Sequence, residues 1–323
     1  MQVIEISAPG GPEVLRPGTG DKPAPGAREV LVKVAFAGVN GPDLMQRRGL
    51  YPPPKGASPL LGLEIAGEVE AVGAEVRRWK VGDRVCALTN GGGYAQYCTV
   101  LEDHCLPIPQ GLGLKEAASL PEAYFTVWSN IFMTAHLSEG EVFLVHGGAG
   151  GLGTASIQLG KAFGARVVVT DSPADRLAQC KALGADRAID YKTEDFVEIV
   201  REEFGGADVI LDIVGGPYIA KNVKAAKPDA RIVQLAFALG SKVEFDFMPI
   251  MLKRLHYTGS TLRSRPDAFK TKVARELEQK VWPLFASGKI KPVVNSVLPL
   301  AQAADAHRLM ESGGHYGKIV LQA

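Results

Sequence analysis

The sequence predicts an α/β protein in which a doubly wound parallel sheet is joined to a second, β-rich domain. Three observations carry this reading. From about residue 115, buried-type strands alternate with helices, the pattern of a parallel sheet. A glycine-rich turn, HGGAGGLG at 146 to 153, joins one of those strands to the next helix. The first third of the chain reads instead as short β segments separated by Gly and Pro.

Each element follows from its local pattern. The start, MQVIEISAPGG, alternates as a strand. EVLVKVAFAG (29 to 38), LEIAGEVEAVG (63 to 73), DRVCALT (83 to 89) and GYAQYCTV (93 to 100) follow, with turns at Gly82-Asp83 and Gly91-Gly92-Gly93. Together they suggest a strongly bent antiparallel sheet or partial barrel. EVFLVH (141 to 146) is a buried-type strand, LGTASIQLGKAF (152 to 163) a helix ended by Gly164, and ARVVVT (165 to 170) the next strand. Ser172-Pro173-Ala174-Asp175 opens another helix, with Ser172 as its cap. RAIDY, ADVILDIVG, ARIVQLA and YTGSTL continue the alternation to about residue 262. A long amphipathic helix near 266 to 286, a short strand, a second helix and the closing strand KIVLQA then return to the first domain. The expected domains are 1 to 121 with 265 to 323, and 122 to 264.

Composition narrows the function classes. The chain has 323 residues, 46% of them hydrophobic and 22% charged, as in a globular protein with substantial cores. Its net charge of +1 argues against a protein built to neutralise nucleic-acid phosphates. The N-terminus lacks a signal-peptide pattern, and no run reaches the roughly 18 to 20 apolar residues of a membrane span. Cys86, Cys98, Cys105 and Cys180 form no C-x-x-C pair or zinc spacing, so buried reduced thiols and a cytoplasmic location are expected. His104 and His146 have no partner pattern and read as packing or surface residues.

Within HGGAGGLG, Gly148, Gly150 and Gly153 fit G-x-G-x-x-G, with Gly151 and Leu152 opening the helix. A strand before, a helix after and an acid, Asp171, ending the next strand are the context of a Rossmann-type dinucleotide site. The first Gly permits the tight turn, the second admits the pyrophosphate, and the third lets the helix pack on the sheet. The helix N-terminus offers free N–H groups to the phosphates. The rival phosphate loop fails because Gly160-Lys161 is followed by Ala162. Asp171 and its neighbour Ser172 stand where ribose hydroxyls bind, and a carboxylate there repels the 2′-phosphate of NADP. Arg176 would pair with that phosphate instead, so both NADH and NADPH stay open. Asp171 could also simply precede the helix cap in solvent.

The loop AFAGVNGPDLMQRRGLYPPP (35 to 54) contains no Cys, His or Ser, and its one acid is Asp43. Together with GGGYAQYCTV, LPEA, LRSR, PPPKGAS and HGGAGGLG, it resembles the zeta-crystallin type of quinone oxidoreductase in the medium-chain dehydrogenase/reductase superfamily. The tumour-suppressor-inducible subgroup is similar in NGPDLMQR, PPPxGAS, LPEA and LRSR. The resemblance runs from the first strand to GKIV and implies a GroES-like β-rich catalytic domain beside the Rossmann-type domain. It places Asn40, Leu63 and Glu122 at the three catalytic-zinc positions of zinc-dependent relatives, a poor donor set for zinc.

By the same resemblance, Asn40 and Tyr51 are the candidate catalytic residues beside the nicotinamide, with Thr126 behind it. Tyr51 offers an aromatic face for a flat ring, or a hydroxyl as donor. Tyr191 matches a residue flanking the nucleotide, Phe237 and Leu262 match loops near the nicotinamide, and Lys318 matches a C-terminal contact near the cofactor. Tyr191 could instead be a strand residue packed on the sheet, and Phe237 a core aromatic. Glu64 and Asp43 could pair with a cation or cap a turn. The implied function is metal-free NAD(P)H-dependent reduction of a quinone, by hydride or single-electron transfer, in the cleft between the domains. Reduction of an enone or alkenal double bond is the alternative, and a nucleotide-binding, crystallin-like structural role is the reading from another class. The resemblance also implies a homodimer paired through the edge strand near HYTGSTL.

Overall fold

The computed structural model describes Met1–Ala323, which group into two units: Met1–Phe125 with Arg263–Ala323, and Thr126–Leu262. In chain order the strands are β1 Gln2–Ile6, β2 Leu15–Thr19, β3 Glu29–Val39, β4 Glu64–Val72, β5 Arg84–Leu88, β6 Tyr97–Leu101, β7 Cys105–Pro107, β8 Val142–His146, β9 Arg166–Asp171, β10 Arg187–Asp190, β11 Ala207–Asp212, β12 Ala226–Gln234, β13 His256–Gly259, β14 Val294–Pro299 and β15 Lys318–Gln322.

The unit Thr126–Leu262 is built on a parallel sheet of order β10-β9-β8-β11-β12-β13. Every residue of β8 is buried, as is almost all of β9 and β11, which is why these strands read as unbroken apolar runs. The chain starts at β8 in the middle, moves outward through β9 and β10, then crosses back to β11. That reversal leaves a crevice at the carboxyl ends of β8 and β11, the usual ligand position in such sheets.

The unit formed by the two chain ends holds a sheet of order β14-β15-β3-β4-β5-β7, with β6 also paired to β3. β15 lies antiparallel to β3, so the closing strand does return to this unit. The strands of the first third pair antiparallel as expected, while β14, from the end of the chain, runs parallel to β15. Register shifts between Leu31 and Val32 and between Val34 and Phe36 bend β3 against β4, as bulges do. Val30, Val32, Ile65, Val69, Val85, Ile319 and Leu321 form part of the core between these strands.

Three local expectations change, and one stretch that carried none is helical. The helix expected at 266 to 286 is two, Asp267–Lys280 and Trp282–Ala286, because Pro283 cannot donate to the preceding turn and so starts a new helix. The stretch before β8 is helical through Leu114–Ala117, Pro121–Val127 and a π-helical turn at Trp128–Thr134, which short apolar runs did not announce. GYAQ lies outside β6, and its Tyr94 is buried in a polar network instead. The helix after β9 spans Ala174–Ala182 with Pro173 at its cap, so Ser172 does not cap it. The Ser172 amide is turned onto the Asp171 carboxylate at 2.8 Å instead.

Candidate active site

The glycine loop follows β8 and leads into the helix Gly151–Ala162. Gly147, just outside the fingerprint, takes the left-handed turn at φ 79°, a role expected of Gly148. Gly148 is required for space: a Cβ there would stand 2.7 Å from Val169 Cβ. At Gly153 a Cβ would meet Gly147 O at 2.2 Å, so this residue lets the helix approach the loop itself. Gly150 is different. Its backbone is extended (φ −75°, ψ 177°), and a Cβ would meet Gly147 O alone, at 3.7 Å. The space beside it is open, and the amides of Gly151, Leu152 and Gly153 open the helix with no carbonyl a turn earlier to accept them. This cradle fits the pyrophosphate of a dinucleotide.

Asp171 ends β9 and is 4% exposed, so it does not stand in solvent before a cap. Its Oδ2 accepts the Ala149 amide at 2.7 Å, and its Oδ1 pairs with Arg176 Nε at 2.9 Å. The carboxylate therefore clamps the glycine loop and neutralises Arg176. A paired acid repels a 2′-phosphate less than a bare one, so the argument from Asp171 toward NADH weakens. Asp171→Ala should free Arg176 and shift the kcat/KM ratio toward NADPH by about tenfold, the size of one charged contact. An unaltered NADPH/NADH ratio would show that the pair does not face the ribose.

The other unit gathers a polar cluster where β15, β3 and β4 lie side by side. Ile319 pairs with Val39 and Ile65 with Ala37, which brings Lys318 beside Asn40 and Glu64 beside Gly38. A Cβ at Gly38 would lie 2.0 Å from Glu64 Oε1, so only glycine leaves room for the carboxylate. Asn40 caps the helix Gly41–Arg47 through its backbone: its N–H donates to Asp43 Oδ2 at 2.9 Å, while Gly62 N–H donates to Oδ1 at 3.0 Å. The Asn40 side chain turns the other way. Its Nδ2 donates to Glu64 Oε1 at 2.9 Å and its Oδ1 accepts from Lys318 Nζ. Lys318 also pairs with Glu64 at 2.5 Å, and Glu64 Oε2 accepts the Glu122 amide at 2.9 Å. Burial pushes the Asp43 carboxyl up to about 6. Burial and then the Glu64 charge push Glu122 up to about 8, so Glu122 keeps its proton at neutral pH.

Tyr51 is half-buried in the same unit, with the Arg263 guanidinium 5.7 Å from its ring centroid. Burial, then the Glu122 carboxyl, raises the phenol above its usual range. Arg263 donates to Gln46 Oε1 at 2.7 Å and to Asn90 O at 2.6 Å, and Lys270 donates to Asn90 Oδ1 at 2.8 Å.

Two family models match the chain. Residues 26–110 match the alcohol dehydrogenase GroES-like domain, and residues 151–279 match the zinc-binding dehydrogenase. Quinone oxidoreductase from Mus musculus is 30% identical over 328 residues, covering 99% of this chain and 97% of that protein. The chain belongs to the quinone oxidoreductase family of the medium-chain dehydrogenases/reductases. Within that family the fold is shared closely: Escherichia coli quinone oxidoreductase, solved in complex with NADPH, is 29% identical, has a TM-score of 0.90 and covers 100% of both chains. The enoyl reductase CurK is 27% identical with a TM-score of 0.88, covering 99% of this chain and 98% of that one. The chain also spans 65% of the synaptic vesicle membrane protein VAT-1 homolog of Danio rerio and 14% of a mycobacterial phenolphthiocerol/phthiocerol polyketide synthase subunit.

For a member of this family, the sequence-derived residues fall into two groups. Gly148, Gly150, Gly151, Leu152, Gly153, Asp171, Ser172 and Arg176 converge on the glycine loop of one unit, while Asn40, Tyr51 and Lys318 lie in the other. Thr126 and Leu262 are buried at the two ends of the nucleotide unit. Tyr191 follows β10 and is 47% exposed, and Phe237 in the loop after β12 is 48% exposed, so neither is the packed residue that composition alone would suggest. His146 is buried and accepted as a packing residue, its ring nitrogens 2.8 Å from Thr170 Oγ1 and 2.7 Å from Asn222 Oδ1. All four cysteines are free and buried. Sequence reasoning missed Arg263 and Lys270. Lys270 sits at a polar position of an amphipathic helix and reads as surface, and Arg263 carries no signal beyond its place in LRSR.

Proposed function

We propose that this chain is a zinc-independent NAD(P)H:quinone oxidoreductase. The observation that carries the reading is the Asn40–Lys318–Glu64 cluster: at the first position where zinc-dependent relatives carry a thiolate, an amide is locked between a cation and a carboxylate. Leu63 and Glu122 at the other two positions add no thiolate or imidazole. Asn40, Tyr51 and Glu122 are the residues assigned to the acceptor, and the Gly148–Gly153 loop to the pyrophosphate. When bound, the reduced nicotinamide supplies hydride. Tyr51 then offers a flat face that orients a planar conjugated acceptor. Asn40, fixed at both ends of its amide, keeps one orientation during turnover rather than rotating to suit its ligand. Protonated Glu122 and water are the proton sources beside it.

Turnover of NADH and NADPH by purified protein, assayed in parallel with ortho- and para-quinones and with enones, tests the reading. Rapid enone reduction without quinone reduction would sink it in favour of double-bond reduction, the reading that likeness to CurK supports. NADPH is the favoured cofactor, since it is the one in the Escherichia coli relative and Asp171 is already paired with Arg176. Protein purified without chelator should contain far less than one zinc per chain. Stoichiometric zinc whose removal stops turnover would refute the metal-free assignment.

A homodimer is part of the proposal. Every residue of β13 is exposed, and β13 is the outermost strand of its sheet, a free edge that natural proteins cover. Phe247, Met248, Met251 and Leu252 before it are 70%, 59%, 69% and 64% exposed, a grouping of large apolar side chains that suits a subunit interface. Pairing β13 with its copy across a two-fold axis would cover the edge. Light scattering should give twice the 34.4 kDa chain mass, and a monomer at micromolar concentration would count against it. No helix is long and apolar enough to cross a membrane.

A further inference from the structure

We infer that Arg263, beside Tyr51, and Lys270, hydrogen-bonded to the Arg263 carbonyl, form a positively charged wall that stabilises the negative charge appearing on the acceptor as it is reduced. This rests on the proposal that Tyr51 meets the acceptor. The two cations are 6% and 1% exposed. Charges this enclosed are ordinarily paired with an opposite charge, as Lys318 is with Glu64 at 2.5 Å. Arg263 and Lys270 form no such pair. Arg263 donates through Nε and Nη2 to Asn90 O at 2.9 and 2.6 Å, and through Nη1 to Gln46 Oε1 at 2.7 Å. Lys270 Nζ donates to Asn90 Oδ1 at 2.8 Å and to Arg263 O at 2.9 Å.

All of these acceptors are neutral. Neutral dipoles solvate a cation without cancelling its charge, so the field of the pair reaches into the surrounding site. The carboxyls that act on it from a distance do little to quench it. Glu122 holds its proton to about 8, and Asp43 acts on Arg263 without pairing with it. Asp267, which acts on Lys270, is 62% exposed and screened by water. Protons remain free as well: a guanidinium carries five and an ammonium three, and three and two of these are used. Holding two buried cations without a direct ion pair is costly, which marks the place as a candidate for functional use of charge.

The chemistry supplies the missing anion. Hydride carries two electrons and one proton to the acceptor, and the donor is left as the oxidised nicotinamide. A neutral quinone thereby becomes a hydroquinone monoanion, and a neutral enone an enolate. Water or Glu122 then delivers the second proton. A preorganised positive field favours the anion over the neutral ground state, which is the condition for lowering the barrier. The ligand class is therefore a planar conjugated acceptor that is neutral when bound and anionic when reduced.

The test measures kcat for wild type, Arg263→Gln, Arg263→Lys and Lys270→Met with a series of para-quinones of graded reduction potential at saturating NADPH. Arg263→Gln should lose about 10- to 100-fold with the weakest oxidant and less with the strongest, so that log kcat depends more steeply on potential. Arg263→Lys, which keeps the charge, should retain the wild-type slope. Lys270→Met should steepen the slope independently, which keeps the test available if Arg263→Gln fails to fold. NADPH affinity, read by fluorescence titration, should stay constant. A uniform fall across the series, or none, would overturn the proposal, because lost packing has no reason to sense the acceptor's potential. Tyr51→Leu separates the two layers of argument: unaltered acceptor kinetics there would remove the site reading itself, and this inference with it.

Discussion

Gly150→Val is expected to abolish nucleotide binding while leaving the fold intact. The backbone at Gly150 is extended (φ −75°, ψ 177°), a conformation valine adopts readily. A Cβ there meets nothing closer than Gly147 O at 3.7 Å, an ordinary contact. The added side chain would instead occupy the open space in front of the Gly151, Leu152 and Gly153 amides. Losing two charge-assisted hydrogen bonds to a pyrophosphate costs about 3 to 6 kcal/mol, two to four orders of magnitude in affinity. Gly153→Ala supplies the contrast. Its Cβ would be driven to 2.2 Å from Gly147 O and 2.4 Å from Gly148 O, so that variant should lose stability as well as binding. Thermal midpoints and fluorescence titration with NADPH check both. Valine at 150 with wild-type NADPH affinity would mean that the loop does not hold the phosphates.

The nucleotide unit was legible because its signals are local. An apolar run, a glycine turn and a helix lie consecutively in the chain, and the strand order follows from the rule for such units. The role of each glycine was less so. The fingerprint assigns the sharp turn to Gly148, yet the left-handed residue is Gly147, since what matters is the exit path of the chain from β8 and not the spacing of the motif. Asp171 is visible as an acid at a strand end, but the sequence poses it and Arg176 as alternatives, whereas the fold joins them in one ion pair. In the other unit the site was nearly silent. Lys318, Asn40 and Glu64 are far apart in sequence and meet only because β15 returns to β3 with Ile319 opposite Val39. Lys270 could not be found from periodicity, which expects charged positions of an amphipathic helix to face water, and Arg263 lies in a turn, where periodicity says nothing. The resemblance pointed to Asn40 and Tyr51, and register and burial supplied what surrounds them.

Lys318→Met should destabilise the protein by about 3 to 5 kcal/mol, the cost of stripping one partner from a buried ion pair. Glu64 is fully buried and Lys318 is 5% exposed, so neither charge can turn to water once the other is gone. Methionine fills most of the volume of the lysine stem, which keeps the loss electrostatic rather than a cavity effect. What would remain around Glu64 is the Asn40 Nδ2 at 2.9 Å and the Glu122 amide at 2.9 Å, two donors with no cationic charge. The double variant Lys318→Met, Glu64→Gln separates this cause from any other. It removes both charges and keeps the volume, so it should recover more than half of the loss, as neutral replacements of buried pairs do. Denaturant midpoints, compared at a common slope, measure each step. Turnover should not recover in parallel. The Asn40 amide is oriented because Lys318 takes its oxygen and Glu64 its nitrogen, and in the double variant a glutamine amide can meet either end, leaving two amide orientations where wild type has one. The double variant should therefore be close to wild type in stability yet lower in kcat. A loss below about 1 kcal/mol in Lys318→Met would mean that water reaches the pair, and a double variant that regained both stability and kcat would mean that the orientation of Asn40 does not matter to turnover.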